Sequence, residues 1–278
     1  MTGKDKYAVF GNPIKHSKSP LIHSAFAAQC GQAMQYRAVR VDKDGFTRAA
    51  SNFFAEGGKG LNITLPFKEE AFQFAGRLSE RATRAGAVNT LKLANDGVVE
   101  GDNTDGVGLV RDMVANLGWM VQGQRVLIIG AGGAVRGVLE PLLRESPREI
   151  LIVNRTASRA EQLAAEFADL GSISGGGYEL LDERQFDLVI NASSAGLEGE
   201  APDLPSSLLT ERSCCYDMLY GAEPTPFMRW AAHHAAWAVA DGLGMLVEQA
   251  AQSFYIWRGQ RPETQTVIAS LREGTEAA

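Results

Sequence analysis

Apolar and polar positions alternate along the chain in blocks that predict β-strands and α-helices in turn. Residues 126–129 form an unbroken apolar run, which is typical of a strand buried on both faces of a parallel sheet. Residues 130–134, Gly-Ala-Gly-Gly-Ala, follow at once, and helix-compatible residues come next. Small residues there permit a tight turn and let backbone N–H groups approach a ligand closely. The pattern predicts a pyrophosphate-binding turn, although Val135 departs from the strict fingerprint and a turn without a ligand is the alternative.

The part of the chain before this turn has its own rhythm of short apolar runs and amphipathic stretches, which predicts a separate α/β unit. The predicted strands cover residues 7–10, 36–41, 60–65, 87–93 and 98–101. The predicted helices cover residues 21–30, 45–56 and 68–74. An Asn-Asp-Gly tripeptide at residues 95–97 predicts a hairpin turn before the last of these strands.

The part of the chain after residue 124 repeats the alternation, which predicts a doubly wound parallel sheet. Predicted strands cover residues 126–129, 150–153, 188–191, 214–218 and 238–240. Predicted helices cover residues 105–117, 134–145, 158–170 and 245–257, and the Gly/Ser-rich residues 171–177 are predicted to form a loop. The fold class is therefore α/β, with two α/β domains and a Rossmann-type doubly wound sheet in the second.

Composition and charge narrow the function classes. The chain has 278 residues, is 45% hydrophobic and 22% charged, and carries a net charge of −6. This charge leaves no basic surplus to neutralise phosphates, so a nucleic-acid partner is not expected. No apolar run reaches the ~18 residues of a membrane span. Three cysteines form no disulfide framework, no His/Cys/Asp cluster has metal-ligand spacing, and no secretory signal begins the sequence, so we expect a cytoplasmic protein.

Polar residues after the predicted strand 150–153 indicate which dinucleotide binds. Asn154, Arg155, Thr156 and Arg159 stand where NAD enzymes typically carry a carboxylate for the ribose 2′-hydroxyl. A carboxylate would repel a 2′-phosphate, whereas arginines bind it through charge-assisted hydrogen bonds. The stretch favours NADP; a helix cap at Thr156 followed by surface arginines is the alternative.

Polar groups in the first unit concentrate where its predicted strands end, which is where open α/β sheets bind ligands. Ser17 and Ser19 could bind a carboxylate through paired hydroxyls. Lys68 and Asp105 are the natural proton-handling pair, because an ammonium can stabilise and protonate a carbonyl oxygen that gains charge during reduction. Taken singly, each of these residues is also compatible with a capping role or a solvated surface.

Several motifs in one order carry a resemblance over nearly the full length of the chain. They read GNPIKHSKSPLIHSAF, GLNITLPFKE, AGAVNTL, GDNTDGVG, GAGGA, VNRT, NASSAG, YDMLY with PTPF, and DGLGMLVEQAAQSF. In these motifs the chain resembles the shikimate dehydrogenase family. The resemblance implies an N-terminal substrate domain, a C-terminal NADP domain and a cleft between them. It also implies reversible NADP-dependent reduction of 3-dehydroshikimate to shikimate, a step towards chorismate and the aromatic amino acids.

The resemblance also implies roles for individual residues. Lys68 and Asp105 match the catalytic pair. The residues expected to bind substrate are Ser17, Ser19, Thr64, Asn89, Asp105, Tyr220 and Gln249. The residues expected to bind NADP are Glu80, Gly130, Ala131, Gly132, Gly133, Ala134, Asn154, Arg155, Thr156, Arg159, Met218 and Gly242.

Domain boundaries follow from these matches. Residues 1–105 plus 243–278 are expected to form the substrate-binding domain, because the helix that carries Gln249 must return to it. Residues 106–242 are expected to form the NADP-binding domain. The expected partners are small molecules, with no nucleic acid, membrane or metal, and the sequence leaves monomer and homodimer open.

Three alternatives remain at this point. A quinate/shikimate dehydrogenase that uses NAD is the nearest, and the serine pair and the arginine cluster argue against it. A non-catalytic nucleotide-binding regulator of the same fold would not need Lys68 and Asp105. A folate-type methylene dehydrogenase shares the two-domain plan but would not need the paired serines or the Asn-Thr-Asp segment at residues 103–105.

Overall fold

The structure is a computed structural model that describes residues 3–276, and its chain divides into two compact units. The first unit comprises the residues up to Gly108 together with Val247–Val267. The second comprises Leu109–Leu246 together with the residues from Ile268 onward. The segment from Ile268 therefore groups with the second unit, where Arg272 pairs with Asp241 at 2.8 Å, whereas the sequence assigned all of residues 243–278 to the first.

The first unit is built on a six-stranded mixed sheet with the strand order β2-β1-β3-β5-β6-β4. Its strands are β1 (Asp5–Gly11), β2 (Met34–Arg40), β3 (Gly58–Ile63), β4 (Arg77–Leu78), β5 (Thr90–Leu93) and β6 (Val99–Asp102). Its helices are α1 (Ser19–Gln29), α2 (Phe46–Ala55), α3 (Lys68–Phe74) and α4 (Glu80–Ala85). Strand β5 pairs antiparallel with both β3 and β6, while the other strand pairs are parallel.

Alternating side chains of this sheet supply two apolar faces. Phe10 and neighbouring buried residues pack on the amphipathic helix α2, and the rings of Phe10 and Phe53 lie 5.8 Å apart. On the opposite face of the sheet, Tyr7 packs against Trp257, and the centroids of their rings lie 4.8 Å apart. Trp257 lies on α9 (Leu243–Arg258), a helix that contains the return of the chain to the first unit.

The second unit has a six-stranded parallel sheet with the order β12-β11-β10-β7-β8-β9. Its strands are β7 (Arg125–Ile129), β8 (Glu149–Val153), β9 (Ile173–Gly176), β10 (Phe186–Asn191), β11 (Leu209–Asp217) and β12 (Ala238–Ala240). The other helices of the chain are α5 (Asp105–Arg111), α6 (Gly133–Arg144), α7 (Ala157–Phe167), α8 (Pro226–His233) and α10 (Gln265–Glu276). Counted from β7, this is the 3-2-1-4-5-6 order of dinucleotide-binding sheets.

The apolar run at residues 126–129 lies in strand β7 and is buried on both faces of the sheet, as predicted. Val126 and Ile128 enter one apolar cluster, whereas Leu127 and Ile129 enter another, because successive side chains of a strand point to opposite faces. All four side chains are fully buried. The predicted α/β class and Rossmann-type sheet are confirmed.

Two predicted elements differ in kind from the structure, and others, such as the predicted strand 87–93 that begins at Thr90, differ in their bounds. The predicted loop 171–177 contains strand β9, and a Cβ atom on Gly175 in this strand would lie 2.1 Å from the Ala160 carbonyl oxygen of α7. The glycines thus let a helix backbone approach the strand. The predicted helix 105–117 is α5 followed by a π-helical turn, Asp112–Asn116.

Within residues 3–276, no helix combines the length and the apolarity that crossing a membrane would require.

Candidate functional site

Strand directions bring the predicted polar residues of the first unit to one edge of its sheet. Strands β3 and β6 both run antiparallel to β5, so their carboxyl ends lie beside the amino end of β5. Lys68 begins α3 shortly after β3, Asp105 begins α5 shortly after β6, and Asn89 directly precedes β5. Residues distant in sequence therefore meet at this edge.

Lys68 and Asp105 form an ion pair at the edge of the first unit's sheet. Lys68 Nζ lies 2.5 Å from Asp105 Oδ2, and the two side chains are 28% and 15% exposed. Asn89 Nδ2 donates to the other carboxylate oxygen, Asp105 Oδ1, at 2.7 Å. An ammonium carries three donors, so Lys68 can bind a ligand oxygen while it holds Asp105.

The orientation of the Asn89 amide is fixed by its surroundings. Its Oδ1 accepts the backbone N–H of Thr104 at 2.9 Å, which directs its Nδ2 towards Asp105. Gln249 Oε1 lies 3.4 Å from the same Nδ2. The structure thus places Lys68, Asn89, Asp105 and Gln249 in one hydrogen-bonded group.

A buried polar network that the sequence analysis did not identify lies next to this group. Asn62, which is 6% exposed, accepts the Tyr36 hydroxyl at 2.7 Å and lies 3.1 Å from His23 Nε2. Its Nδ2 donates to Ser253 Oγ at 3.0 Å and to the Asn89 carbonyl at 3.2 Å. The sequence offers one signal for this network, which is the amide of Asn62 between the apolar residues Leu61 and Ile63.

His23 contributes a neutral imidazole to this network. It is fully buried and stacks on Tyr36 with ring centroids 4.2 Å apart. Burial lowers the pKa of His23 to about 3, although its hydrogen bond to Asn62 acts in the opposite direction. Because an amide oxygen only accepts, His23 Nε2 carries the proton in this contact. Burial also raises the pKa of Tyr36 well above its usual value.

The predicted carboxylate-binding serines follow β1 at its carboxyl end. Ser17 is partly exposed, and its Oγ accepts the backbone N–H of Ser19 at 3.3 Å. Ser19 is 9% exposed, and its side chain forms a hydrogen bond with Tyr36. Thr64 directly follows β3, where its backbone N–H donates to the Phe10 carbonyl at 2.9 Å.

The glycine turn of the second unit lies at the switch point of its sheet, because β7 separates β8 from β10 there. Gly130 has φ +112°, and a Cβ atom on it would lie 3.1 Å from the Ala192 carbonyl oxygen. Gly132, Gly133 and Ala134 are exposed, and added Cβ atoms on the two glycines would meet no atom within 4 Å among the described residues. Ala131 beside them is half-buried.

This turn leaves room for a dinucleotide. Helix α6 begins at Gly133 with no side-chain cap in the described chain, so its first N–H groups are open to an anion. Val135, which departs from the strict fingerprint, is fully buried in the apolar cluster and does not line the turn.

The predicted 2′-phosphate residues follow β8 at the same edge. Arg155, Thr156 and Arg159 are exposed, and Asn154 Nδ2 donates to the Thr156 carbonyl at 3.0 Å. Thr156 occupies the N-cap position of α7, but its side chain caps no N–H of the described helix. The capping role that was the alternative for Thr156 is therefore absent, and two guanidinium groups face solvent beside the turn.

Met218 and Gly242 are neighbours in the second unit. A Cβ atom on Gly242 would lie 2.3 Å from the Met218 carbonyl oxygen, so only glycine permits this approach. Asp217 next to Met218 is fully buried and accepts Thr225 Oγ1 at 2.6 Å. Burial raises the pKa of the Asp217 carboxyl.

The remaining two predicted residues lie on the surfaces of their units. Tyr220 is 39% exposed, and burial of part of its ring raises the pKa of its hydroxyl. Glu80 is exposed at the start of α4, in the first unit. Among the described residues, no group of three or more His, Cys, Asp or Glu side chains could hold a metal ion.

A parallel sheet in this strand order, with an open glycine turn at its switch point, defines a dinucleotide-binding protein of the Rossmann type. Three family models match the chain. The shikimate dehydrogenase substrate-binding domain matches residues 9–91, the shikimate/quinate 5-dehydrogenase model residues 113–196, and the shikimate 5′-dehydrogenase C-terminal domain residues 242–272.

Known proteins are similar to this chain in sequence and structure over nearly its whole length. A curated shikimate dehydrogenase (NADP(+)) of Cellvibrio japonicus is 58% identical over 96% of this chain and 97% of its own length. The crystal structure of an Ael1 enzyme from Pseudomonas putida is 46% identical with a TM-score of 0.91, covering 96% of this chain and 98% of that one. The shikimate 5-dehydrogenase of Thermus thermophilus, solved with NADP(H) and shikimate, is 32% identical with a TM-score of 0.85, covering 97% and 99%.

The chain belongs to the shikimate dehydrogenase family. The predictions of that family, of an oxidoreductase and of NADP as its cofactor are confirmed.

Proposed function

We propose that the chain catalyses the reversible reduction of 3-dehydroshikimate to shikimate with NADPH, and that Lys68 and Asp105 handle the proton. The observation that carries this proposal is the contact between Lys68 Nζ and Asp105 Oδ2 at 2.5 Å, partly exposed at a polar sheet edge. The buried amide of Asn89 also donates to Asp105, which supports a pair held in one orientation.

The chemistry of the pair follows from its charges. When bound, NADPH would supply the hydride for the reduction, and NADP+ would accept a hydride in the reverse, oxidative direction. The substrate carbonyl oxygen gains negative charge as the hydride arrives, and the Lys68 ammonium stabilises that oxygen and donates its proton. Asp105 holds the ammonium towards the substrate, and in the oxidative direction Lys68 takes the hydroxyl proton back.

The hydroxyl-rich edge fits a ring that carries a carboxylate and several hydroxyl groups. Ser17 and Ser19 carry two hydroxyl groups beyond β1, and their O–H groups could donate to the substrate carboxylate. Asn89 donates to Asp105, Gln249 lies beside Asn89, and Thr64 lies in the chain between β3 and Lys68. The polar groups of these three side chains suit the ring hydroxyls. We assign Tyr220 as a further substrate contact.

The second unit's residues suit NADP in the same way. Gly130, Ala131, Gly132, Gly133 and Ala134 would hold the pyrophosphate through backbone N–H groups. Asn154, Arg155, Thr156 and Arg159 would hold the 2′-phosphate. Met218 and Gly242 would lie beside the nicotinamide, and Glu80 would be a further cofactor contact. Residues 1–105 with the returning helix would then bind substrate, and residues 106–242 would bind NADP.

The test is an initial-rate assay of the purified protein with shikimate or quinate, each paired with NADP or NAD. We expect the highest kcat/KM for shikimate with NADP, because the serine pair and the exposed arginines match those two ligands. A higher kcat/KM for quinate with NAD would contradict the proposal. No turnover with any of the four pairs would favour a non-catalytic nucleotide-binding protein.

A further inference from the structure

The loop that carries Asp105 is hydrogen-bonded at each of its residues. Asn103 Nδ2 donates to the Ala87 carbonyl at 3.0 Å, and its Oδ1 accepts the backbone N–H of Asp105 at 3.1 Å. Thr104 binds Asn89 through its backbone N–H. The first residue of the loop, Asp102, ends strand β6. The position of Asp105 therefore depends on how Asp102 is held.

Asp102 is held by Arg81 through two parallel hydrogen bonds. Arg81 Nε donates to Asp102 Oδ1 at 2.6 Å, and Arg81 Nη2 donates to Oδ2 at 2.7 Å. Ser79 Oγ and the backbone N–H of Asn103 also donate to Oδ1, each at 2.7 Å. The side chains of Arg81 and Asp102 are only 24% and 17% exposed. A planar guanidinium matched to a carboxylate fixes orientation as well as distance.

The same residue also holds the other partner of Asp105. The Asp102 carbonyl accepts the backbone N–H of Asn89 at 3.0 Å, and Asn89 Nδ2 donates to Asp105 Oδ1. Because β4 and β6 are parallel, Arg81, which follows β4, reaches the end of β6 from the neighbouring strand. Arg81 and Asp102 thus fix both the loop that carries Asp105 and the amide that orients its carboxylate.

We propose that Arg81 and Asp102 are positioning residues for Asp105 in the reaction. The inference rests on the proposed function, in which Lys68 and Asp105 handle the proton. Neither Arg81 nor Asp102 acts on the substrate; their ion pair keeps the Asp105 carboxylate where Lys68 meets it. A displacement of about 1 Å at a reacting group can cost about 10²-fold in rate.

Arg77 provides a matched control in the same region. It lies on β4, four residues before Arg81, and pairs with Asp96 at 2.8 Å and with Glu100 at 2.5 Å. Its side chain is 53% exposed, and neither partner belongs to the loop of residues 102–105. Loss of the Arg77 pairs removes a similar set of interactions without releasing Asp105.

The experiment is a double-mutant cycle on the full chain, with kcat and KM for shikimate measured at saturating NADP. We expect Arg81→Met to lower kcat by about 10- to 100-fold. Arg81→Lys should have a kcat between those of Arg81→Met and the unmodified chain. Arg77→Met should have a kcat within about twofold of that of the unmodified chain. In an Asp105→Asn background, Arg81→Met should change kcat by less than about threefold, because nothing remains to be positioned.

A purely structural role predicts a different outcome. In one such outcome, Arg81→Met lowers the melting temperature but leaves kcat of the folded protein unchanged. In the other, Arg81→Met lowers kcat by the same factor in the unmodified chain and in the Asp105→Asn background. Either result would overturn the inference. If circular dichroism shows that Arg81→Met does not fold, Asp102→Asn and Arg81→Lys decide the cycle in its place. If Asp105→Asn has the kcat of the unmodified chain, the proposed function is refuted. If Asp105→Asn lowers kcat but Arg81→Met does not, only the positioning role of Arg81 and Asp102 is refuted.

Discussion

Lys68 and Asp105 are 37 positions apart in sequence, yet Lys68 Nζ lies 2.5 Å from Asp105 Oδ2. Each residue begins a helix that follows a strand of one sheet, so the distance is set by strand pairing and not by a local turn. Asn89 Nδ2 donates a hydrogen bond to the second carboxylate oxygen, Asp105 Oδ1. The pair is thereby held in one orientation, as the proposed proton transfer to a bound carbonyl would require.

Replacement of Lys68 by alanine tests the proposed role of the ammonium. We expect Lys68→Ala to lower kcat by about 10²- to 10⁴-fold, the range typical of a lost proton-transfer group. Binding of shikimate should change little, because the serine and amide groups that would hold it remain. Steady-state kinetics give kcat, and calorimetric titration with shikimate gives its dissociation constant.

Lys59→Ala is the matched control for this substitution, because Lys59 is an exposed lysine on β3 of the same unit. Its kcat should match that of the unmodified chain. If Lys68→Ala turned over as fast as Lys59→Ala, Lys68 would have no part in the chemistry.

Replacement of Arg155 tests the choice of cofactor. We expect Arg155→Ala to raise KM for NADP by about tenfold to a hundredfold, since a hydrogen bond to a charged group contributes about 1.5–3 kcal/mol. KM for NAD should stay within about twofold, because NAD has no 2′-phosphate for Arg155 to bind. The ratio of the two KM values, measured with shikimate in excess, reports the effect.

Arg148→Ala controls for the loss of a positive charge. Arg148 is exposed and precedes β8, whereas Arg155 follows β8 at its other end. An equal rise in KM for NADP in both variants would indicate a general electrostatic effect in place of a phosphate site.

Much of this arrangement follows from short-range sequence patterns. The apolar run at residues 126–129 and the glycines after it predict β7 and the open turn, because both depend on residues adjacent in sequence. The helix over Lys68–Phe74 also agrees with its predicted bounds. Lys68 and Asp105 were predicted as a pair from their chemistry and from the family resemblance.

Features that depend on tertiary contacts were not predicted. Asn62 binds Tyr36, His23 and Ser253 from three other elements, and no spacing in the sequence shows that these four meet. Strand β9 was predicted as a loop, since its glycines weaken the strand signal while they admit helix α7. The bidentate contact of Arg81 with Asp102 likewise becomes visible only when β4 and β6 pair.

Two glycines of the turn should respond differently to alanine. Gly130 has φ +112°, and a Cβ atom on it would lie 3.1 Å from the Ala192 carbonyl oxygen, so Gly130→Ala should lower the free energy of unfolding by about 1–3 kcal/mol. Gly132 has φ −95° and open space around its Cα, so Gly132→Ala should change stability by less than about 0.5 kcal/mol.

The Gly132→Ala variant also tests where NADP binds. A Cβ atom on Gly132 would occupy the space in which the pyrophosphate is proposed to lie, so Gly132→Ala should raise KM for NADP although the protein stays fully stable. Urea denaturation and NADP kinetics measure the two effects. A Gly132→Ala protein with an unchanged KM for NADP would show that the pyrophosphate does not approach this turn.

The buried imidazole of His23 predicts how stability depends on pH. Burial holds the pKa of His23 at about 3, whereas an unfolded chain has a histidine pKa of about 6.5. The unfolded state therefore binds a proton that the folded state excludes, so stability is full above pH ~6.5 and is lost as the pH falls towards 3. Between pH 7.5 and 5.0 this one residue should lower the free energy of unfolding by about 2 kcal/mol.

His23→Gln isolates that contribution, because a glutamine amide can still donate towards Asn62 Oδ1 but does not titrate. The loss of stability between pH 7.5 and pH 5.0, measured by urea denaturation, should be about 2 kcal/mol smaller in His23→Gln than in the unmodified chain. His16→Gln, which alters an exposed histidine on the same segment, should keep the full loss. Equal losses in all three proteins would mean that folding does not lower the pKa of His23, which would contradict the proposed effect of its burial.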